Sequence, residues 1–209
     1  MKRIIITGCG SGLGKCIYES ALKTENIVFP HYRKGNAGLI GDITDKNFLA
    51  KLSNYLIETN ADVFVNSAAI YCGGSIEEID DKEIEKTILT NLTSQILILK
   101  RVYSYFKEKG RGIIININSL AGIYSSKNES IYSATKFGLK GFSKSLQLEA
   151  IGTGIKIVDL YPGAIKTRMT KDRSNYENFI DPTDLSNLIL DIIKDDKTFY
   201  PNEIVLRKS

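Results

Sequence analysis

Close to its N-terminus the chain reads Ile4-Ile5-Ile6-Thr7 and then Gly8-Cys9-Gly10-Ser11-Gly12-Leu13-Gly14. A β-branched apolar run favours a short buried strand, and glycines at alternate positions favour a turn whose backbone can be approached closely. From about residue 13 to residue 23, Leu13, Ile17, Ala21 and Leu22 fall on one side of a helix. A strand that enters a helix through such a turn leaves free amides at the helix start, where an anion is stabilised. That is the setting a dinucleotide pyrophosphate needs. Glycine-rich strand-to-helix turns without a ligand also exist, but the strand before and the helix after favour the cofactor reading.

The rest of the chain repeats this alternation. Strands are predicted over residues 27–29, 38–40, 62–66, 112–118, 155–161 and 203–206. Helices are predicted over 45–58, 131–151 and 182–194, with one long helical region, allowing a bend, over 80–109. Pro182 suits a first helical turn, where its missing donor costs little. Mostly apolar strands separated by helices imply a parallel sheet covered on both faces. With no internal repeat, low-complexity tract or linker, the 209 residues are expected to form one doubly wound α/β domain.

Composition narrows the function classes. A net charge of +4, with both signs mixed along the chain, gives no basic surface for nucleic acid or membrane. No apolar run reaches bilayer length and no signal-peptide pattern precedes the first strand, which predicts a cytoplasmic protein. Cys9, Cys16 and Cys72 form no C-x-x-C pair, and His31 is the single histidine, so neither a disulfide framework nor a metal site is expected.

In the helix from residue 131, Tyr132 and Lys136 stand four residues apart and share one face. A phenol near its reference pKa of about 10 is a poor acid or base at neutral pH, and a neighbouring cation lowers that value. Alone, the pair also fits an ordinary exposed helix surface.

Taken together, the T-G-x-x-x-G-x-G turn, Tyr-x-x-x-Lys and Ser119, thirteen residues before the tyrosine, resemble the short-chain dehydrogenase/reductase family over essentially the whole chain. Further matches fall in order. Asn66-Ser67-Ala68-Ala69 stands where the family has N-N-A-G, and Asn91 stands where it has the asparagine of its catalytic tetrad. Residues 112–122 match the serine strand, and Pro162-Gly163-Ala164-Ile165-Lys166-Thr167 matches the P-G-x-x-x-T segment at the nicotinamide end. The resemblance implies a Rossmann-type three-layer α/β/α sandwich with a central, mostly parallel seven-stranded sheet. It implies an oxidoreductase that interconverts a carbonyl and an alcohol, with Tyr132 as proton donor or acceptor. Lys136 would lower the tyrosine pKa and hold the nicotinamide ribose, Ser119 would orient the substrate oxygen, and Asn91 would hold a water linking Lys136 to solvent. These are tasks of tuned acid–base groups and of donors aimed at developing charge. As alternatives, Ser119 fits a strand-end cap and Asn91 a helix-interior residue bonded to its own backbone.

For the coenzyme, the resemblance implies contacts from Thr7, Gly8, Gly10, Ser11, Gly12, Leu13 and Gly14, from Asn66 and Ala68, from Tyr132 and Lys136, and from Pro162, Gly163, Ile165 and Thr167. Aligned from Gly14, the end of the second strand carries Tyr32, Arg33 and Lys34 in place of a carboxylate. A carboxylate would bind the ribose hydroxyls of NAD, whereas an arginine can pair with a 2′-phosphate, so NADP(H) is favoured and NAD(H) is the alternative. A solvated basic turn is the competing reading. Asp42, with Ile43 beside it, matches the aspartate near the adenine ring, or else caps the helix from Asp45.

The chain departs from the family in its Asn66-Ser67-Ala68-Ala69 stretch, in lacking a helix between the second and third strands, and in a short segment after Thr167 that predicts a reduced lid. The substrate end is expected to draw on Tyr71, Ile123, Tyr124, Met169, Tyr176 and Phe179. Lys127, Lys166, Arg168, Lys171 and Arg173 nearby would suit an anionic small-molecule carbonyl compound, or form a solvated basic loop. The resemblance also implies a homodimer or homotetramer, with Leu97, Tyr105, Phe142 and Leu146 at an interface or else in the core. Two other functions compete: a non-catalytic coenzyme-binding sensor or interaction protein, and a sugar-nucleotide epimerase, whose G-x-x-G-x-x-G turn and larger C-terminal domain are missing.

Overall fold

The computed structural model describes residues 1–194 and 199–208. Its elements run β1 (Arg3–Ile6), α1 (Gly12–Ala21), β2 (Ile27–Tyr32), β3 (Leu39–Ile40), α2 (Lys46–Glu58), β4 (Val63–Asn66), α3 (Asp81–Ile88), α4 (Ser94–Lys109), β5 (Gly112–Ile117), α5 (Ser130–Glu149), β6 (Ile155–Pro162), α6 (Pro182–Ile193) and β7 (Glu203–Leu206). The strands form one seven-stranded sheet in the order β3-β2-β1-β4-β5-β6-β7. Every neighbouring pair is parallel, so the mostly parallel sheet expected is wholly so.

Strand alternation sorts the core into two layers. On β1, Ile5 faces Leu52 and Leu56 of α2, Ile98 and Phe106 of α4, and Leu139 and Leu146 of α5. Ile4 and Ile6 face the other way, toward Ile17 of α1 and Leu185 and Ile189 of α6. All of these side chains are buried. A Rossmann-type α/β/α sandwich follows directly from the two apolar faces of each strand. Leu146 belongs to the core, Tyr105 and Phe142 pack partly against it, and Leu97 is exposed.

The long helical region is three pieces rather than one. Between α3 and α4 the backbone widens into a π-helical turn, Leu89–Thr93, which aims Asn91 out of register with its neighbours. Asp45 caps α2 by accepting from the Asn47 amide at 2.8 Å, and Asp181 does the same for α6 ahead of Pro182. The connection from β2 to β3 holds no helix, although parallel neighbours ordinarily need a dozen residues or more to cross over. Gly38 makes the short path possible: its φ is +77°, and a side chain there would strike the Pro30 carbonyl oxygen.

A polar row crosses the sheet among these apolar layers. Asn66, Asn116, Asp159 and Glu203 are direct partners on β4, β5, β6 and β7. Asp159 accepts from Asn116 Nδ2 at 2.9 Å and from Ser143 Oγ of α5 at 2.8 Å, with Gln147 Nε2 at 3.3 Å. The row therefore ties α5 to the sheet through hydrogen bonds as well as packing. Among the described residues no helix is long and apolar enough to cross a membrane, and no cluster of side chains suits a metal.

Candidate active site

Because all strands point the same way, the residues that end them meet at one edge of the sheet. The crevice opens beside β1 and β4, where the strand order reverses. It is a cleft of about 1130 Å³, walled by the glycine turn, the ends of β2 and β3, the loops after β4 and β5, the start of α5, and the segment after β6.

At the glycine turn, Gly8 has φ +79° and a side chain there would come within 3.1 Å of the Ala68 backbone. A side chain at Gly14 would stand 2.5 Å from the Gly8 carbonyl oxygen, which fixes how tightly α1 can follow β1. Ser11 caps α1 without a side-chain hydrogen bond and no acidic residue lies in the first turn, so the amides at the helix start face the cleft unopposed. Gly8, Gly10, Ser11, Gly12, Leu13 and Gly14 line the cleft. Thr7 stands behind them: its hydroxyl accepts from the amides of Ser67 and Ala68 at 2.9 and 3.2 Å, locking the turn to the end of β4. Asn66 is likewise behind the wall, donating to Asn116 Oδ1. Neither residue lines the cleft, and both brace the strand ends behind it.

His31 is the contributor that sequence reasoning missed. It is buried on β2, where its Nδ1 accepts from the Gly8 amide at 3.2 Å and its Nε2 meets the Gly41 carbonyl at 2.9 Å. That pairing assigns the proton to Nε2. Burial lowers its pKa and keeps the ring neutral. Nothing local in the sequence marks its contacts with Gly8 and Gly41. Beside it, Tyr32, Arg33, Asp42 and Ile43 line the cleft as expected. Asp42 closes a turn on Thr44 and does not cap α2, which is Asp45's part.

At the other end, Ser119, Tyr132 and Lys136 share one wall. Lys136 is buried, its ammonium donates to the Ile117 carbonyl at 3.2 Å, and it lies 5.7 Å from the Tyr132 ring centre. Burial pushes its pKa down to about 8. Burial likewise pushes the half-buried Tyr132 phenol up to about 12, against the lowering effect of its hydrogen bond with Ser119. The Lys136 ammonium is turned to a backbone oxygen in this arrangement. Asn118, not singled out from sequence, accepts from the Ser119 amide at 3.0 Å and reaches the Lys136 carbonyl at 3.4 Å, joining the serine strand to α5.

Asn91 does not line the cleft. Its Oδ1 accepts from the Ile70 amide at 2.9 Å and its Nδ2 donates to the Ile70 carbonyl at 2.7 Å, so its side chain pins the loop after β4. Beyond Ser119, the wall includes Tyr71, Tyr124, Met169, Arg168 and Arg173. Ile123, Tyr176, Phe179, Lys127, Lys166 and Lys171 are not part of it. The basic excess also shrinks: Lys166 pairs with Glu177 at 3.4 Å and Arg173 with Glu129 at 2.7 Å. Pro162, Gly163, Ile165 and Thr167 complete the wall, and residues 165 and 180 bridge to close the segment on itself.

The family model described as short chain dehydrogenase matches residues 2–178. The chain is 31% identical over 179 residues to a 3-ketodihydrosphingosine reductase of Bacteroides thetaiotaomicron, covering 82% of this chain and 66% of that one. It thus spans just under two thirds of that relative's length. Its fold is shared with a 3-ketoacyl-(acyl-carrier-protein) reductase from Brucella melitensis complexed with NADH, at a TM-score of 0.87 and 22% identity over 98% of this chain and 96% of that one. A serine dehydrogenase complexed with NADP+ superposes at a TM-score of 0.85, with 23% identity over 97% and 93% of the two chains.

Proposed function

The chain belongs to the short-chain dehydrogenase family, and on that premise we propose that it is an oxidoreductase interconverting a carbonyl and an alcohol, with NADP(H) as its preferred coenzyme. The observation that carries the reading is the convergence of Ser119, Tyr132 and Lys136 on one wall of a cleft whose far end is the glycine turn.

The residues present fit a dinucleotide. A side chain at Gly8 would crowd Ala68, the amides of α1 face the cleft, and Arg33 and Lys34 line its far end with no carboxylate at the tip of β2. Gly8 to Gly14 would hold the pyrophosphate and Arg33 a 2′-phosphate. Lys136 would hold the nicotinamide ribose, and Pro162 to Thr167 the nicotinamide end. The bound coenzyme supplies or accepts the hydride. Tyr132, held near 12 by burial, keeps its proton at neutral pH and can deliver it to a substrate oxygen positioned by the Ser119 hydroxyl. Asn91 acts one step back, by fixing the Ile70 backbone that forms the opposite wall.

The test is a screen of aldehydes, ketones and alcohols with both coenzymes, using purified wild-type protein and Tyr132→Phe. The variant is expected to lose turnover by at least ~100-fold while still binding coenzyme. Unchanged turnover refutes the role of Tyr132, and tighter binding of NADH than of NADPH refutes the coenzyme preference.

A further inference from the structure

Three residues distant in sequence meet beside Tyr132. Glu129, immediately before α5, accepts through one oxygen, Oε1, from the Tyr71 hydroxyl at 3.0 Å and from Arg173 Nη2 at 2.7 Å. The Arg173 guanidinium lies 4.5 Å from the Tyr71 ring centre, and that ring lies 5.3 Å from the ring of Tyr132. The Glu129 side chain is 15% exposed and that of Arg173 36%, so the ion pair is partly screened by water. A backbone bond from the Gly74 amide to the Asn128 carbonyl at 2.8 Å holds the two loops together. All four side chains line the same cleft. None of the three is needed to hold a coenzyme at the glycine turn.

We propose that Glu129 and Arg173, paired directly and packed against Tyr71, are positioning residues that set the ionisation of Tyr132 by placing opposite charges beside its ring. This rests on Tyr132 being the proton-transfer group. The groups that face the phenol are Lys136 from its own helix, Ser119 from the loop after β5, Tyr71 from the loop after β4, Glu129 from the residue before α5, and Arg173 from the segment after β6. Glu129 favours the protonated phenol and Arg173 the phenolate, so in the intact pair the two effects oppose each other. The pair therefore does two things at once. It lets a cation sit next to the acid–base group without stripping its proton, and it keeps that cation from serving as an open receptor for an anionic substrate.

The experiment compares pH profiles of alcohol oxidation for wild type, Glu129→Gln, Arg173→Gln and the double variant. Glu129→Gln leaves the cation alone and is expected to move the controlling ionisation to lower pH by about 0.5 unit or more. Arg173→Gln leaves the anion and is expected to move it to higher pH by a similar amount. The double variant is expected to return toward wild type, and Arg173→Lys, which keeps the charge, to stay with wild type. Shifts in the same direction, or unchanged profiles with only KM altered, overturn the proposal. A second readout needs no substrate: fluorine NMR of 3-fluorotyrosine-labelled protein, with the Tyr132 signal assigned through Tyr132→Phe. Fluorine makes the phenol more acidic and brings its titration within range. If wild type oxidises no alcohol, the functional reading falls, while opposite shifts of the fluorine titration still support the pair and coincident titrations still refute it.

Discussion

Replacing Asp159 by Asn should make the protein more stable at neutral pH, although the aspartate has hydrogen-bond partners in the native state. Asp159 is fully buried on β6, and burial raises its pKa from 3.8 to about 6, against the lowering effect of Ser143 and Asn116. An acid whose folded pKa is raised holds its proton more tightly in the native state than in the unfolded chain. Its contribution to stability is full below the unfolded value of 3.8 and is lost as the pH rises through about 6. At about 1.36 kcal/mol per pH unit, the interval corresponds to roughly 3 kcal/mol lost between pH 4 and pH 7. Asparagine is neutral throughout, keeps an oxygen for Ser143 and Asn116, and gives up only the longer contact from Gln147 at 3.3 Å. Urea unfolding of both proteins from pH 4 to pH 8 isolates the effect, because the other titrating groups are common to both. The difference in unfolding free energy should shift in favour of Asp159→Asn by about 3 kcal/mol across that range. A difference that stays flat within about 0.5 kcal/mol refutes the assignment of a strained buried carboxylate.

Two further substitutions address the glycine turn. Gly14→Ala puts a methyl group 2.5 Å from the Gly8 carbonyl oxygen, so it should destabilise the protein by about 2 kcal/mol or more and abolish coenzyme binding, measurable by thermal unfolding and by titration calorimetry. His31→Leu removes the acceptor for the Gly8 amide and should weaken coenzyme binding by about tenfold. In the wild type, the lowered His31 pKa means that its contribution to stability is present above the ordinary value of 6.5 and is lost as the pH falls below it. Unfolding curves of wild type and His31→Leu should therefore converge on acidification below 6.5, and parallel curves would count against the role assigned to the ring.

What could be read from the sequence was what depends on near neighbours. The Ile4 to Gly14 stretch announces strand, turn and helix because each step is a local preference, and all seven strands carried their own apolar signal. Tyr132 and Lys136 were legible as a pair because their spacing puts them on one helix face, and Ser119 joined them through the family resemblance. The misses are long-range. His31 bonds to Gly8 across 23 residues and Arg173 to Glu129 across 44, and neither pairing leaves a local pattern. Asn91 was placed correctly on its helix, yet the π-helical turn that aims it at Ile70 is invisible to a period of 3.6. Glu177 stands near the basic residues after β6 in the sequence and pairs with Lys166, whereas Glu129, the counterion of Arg173, comes from before α5.

The short path from β2 to β3 gives the sheet an edge of two residues, with only Leu39 and Ile40 paired to His31 and Tyr32. Such an edge is expected to open in small, frequent fluctuations well below the free energy of global unfolding. His31 belongs to this edge and also holds the Gly8 amide, so each opening that frees β3 also loosens the turn. Local unfolding and access to the dinucleotide end are then one event. A ligand there should slow amide exchange throughout β2 and β3, while leaving the deeply buried β5 at its own, much slower rate.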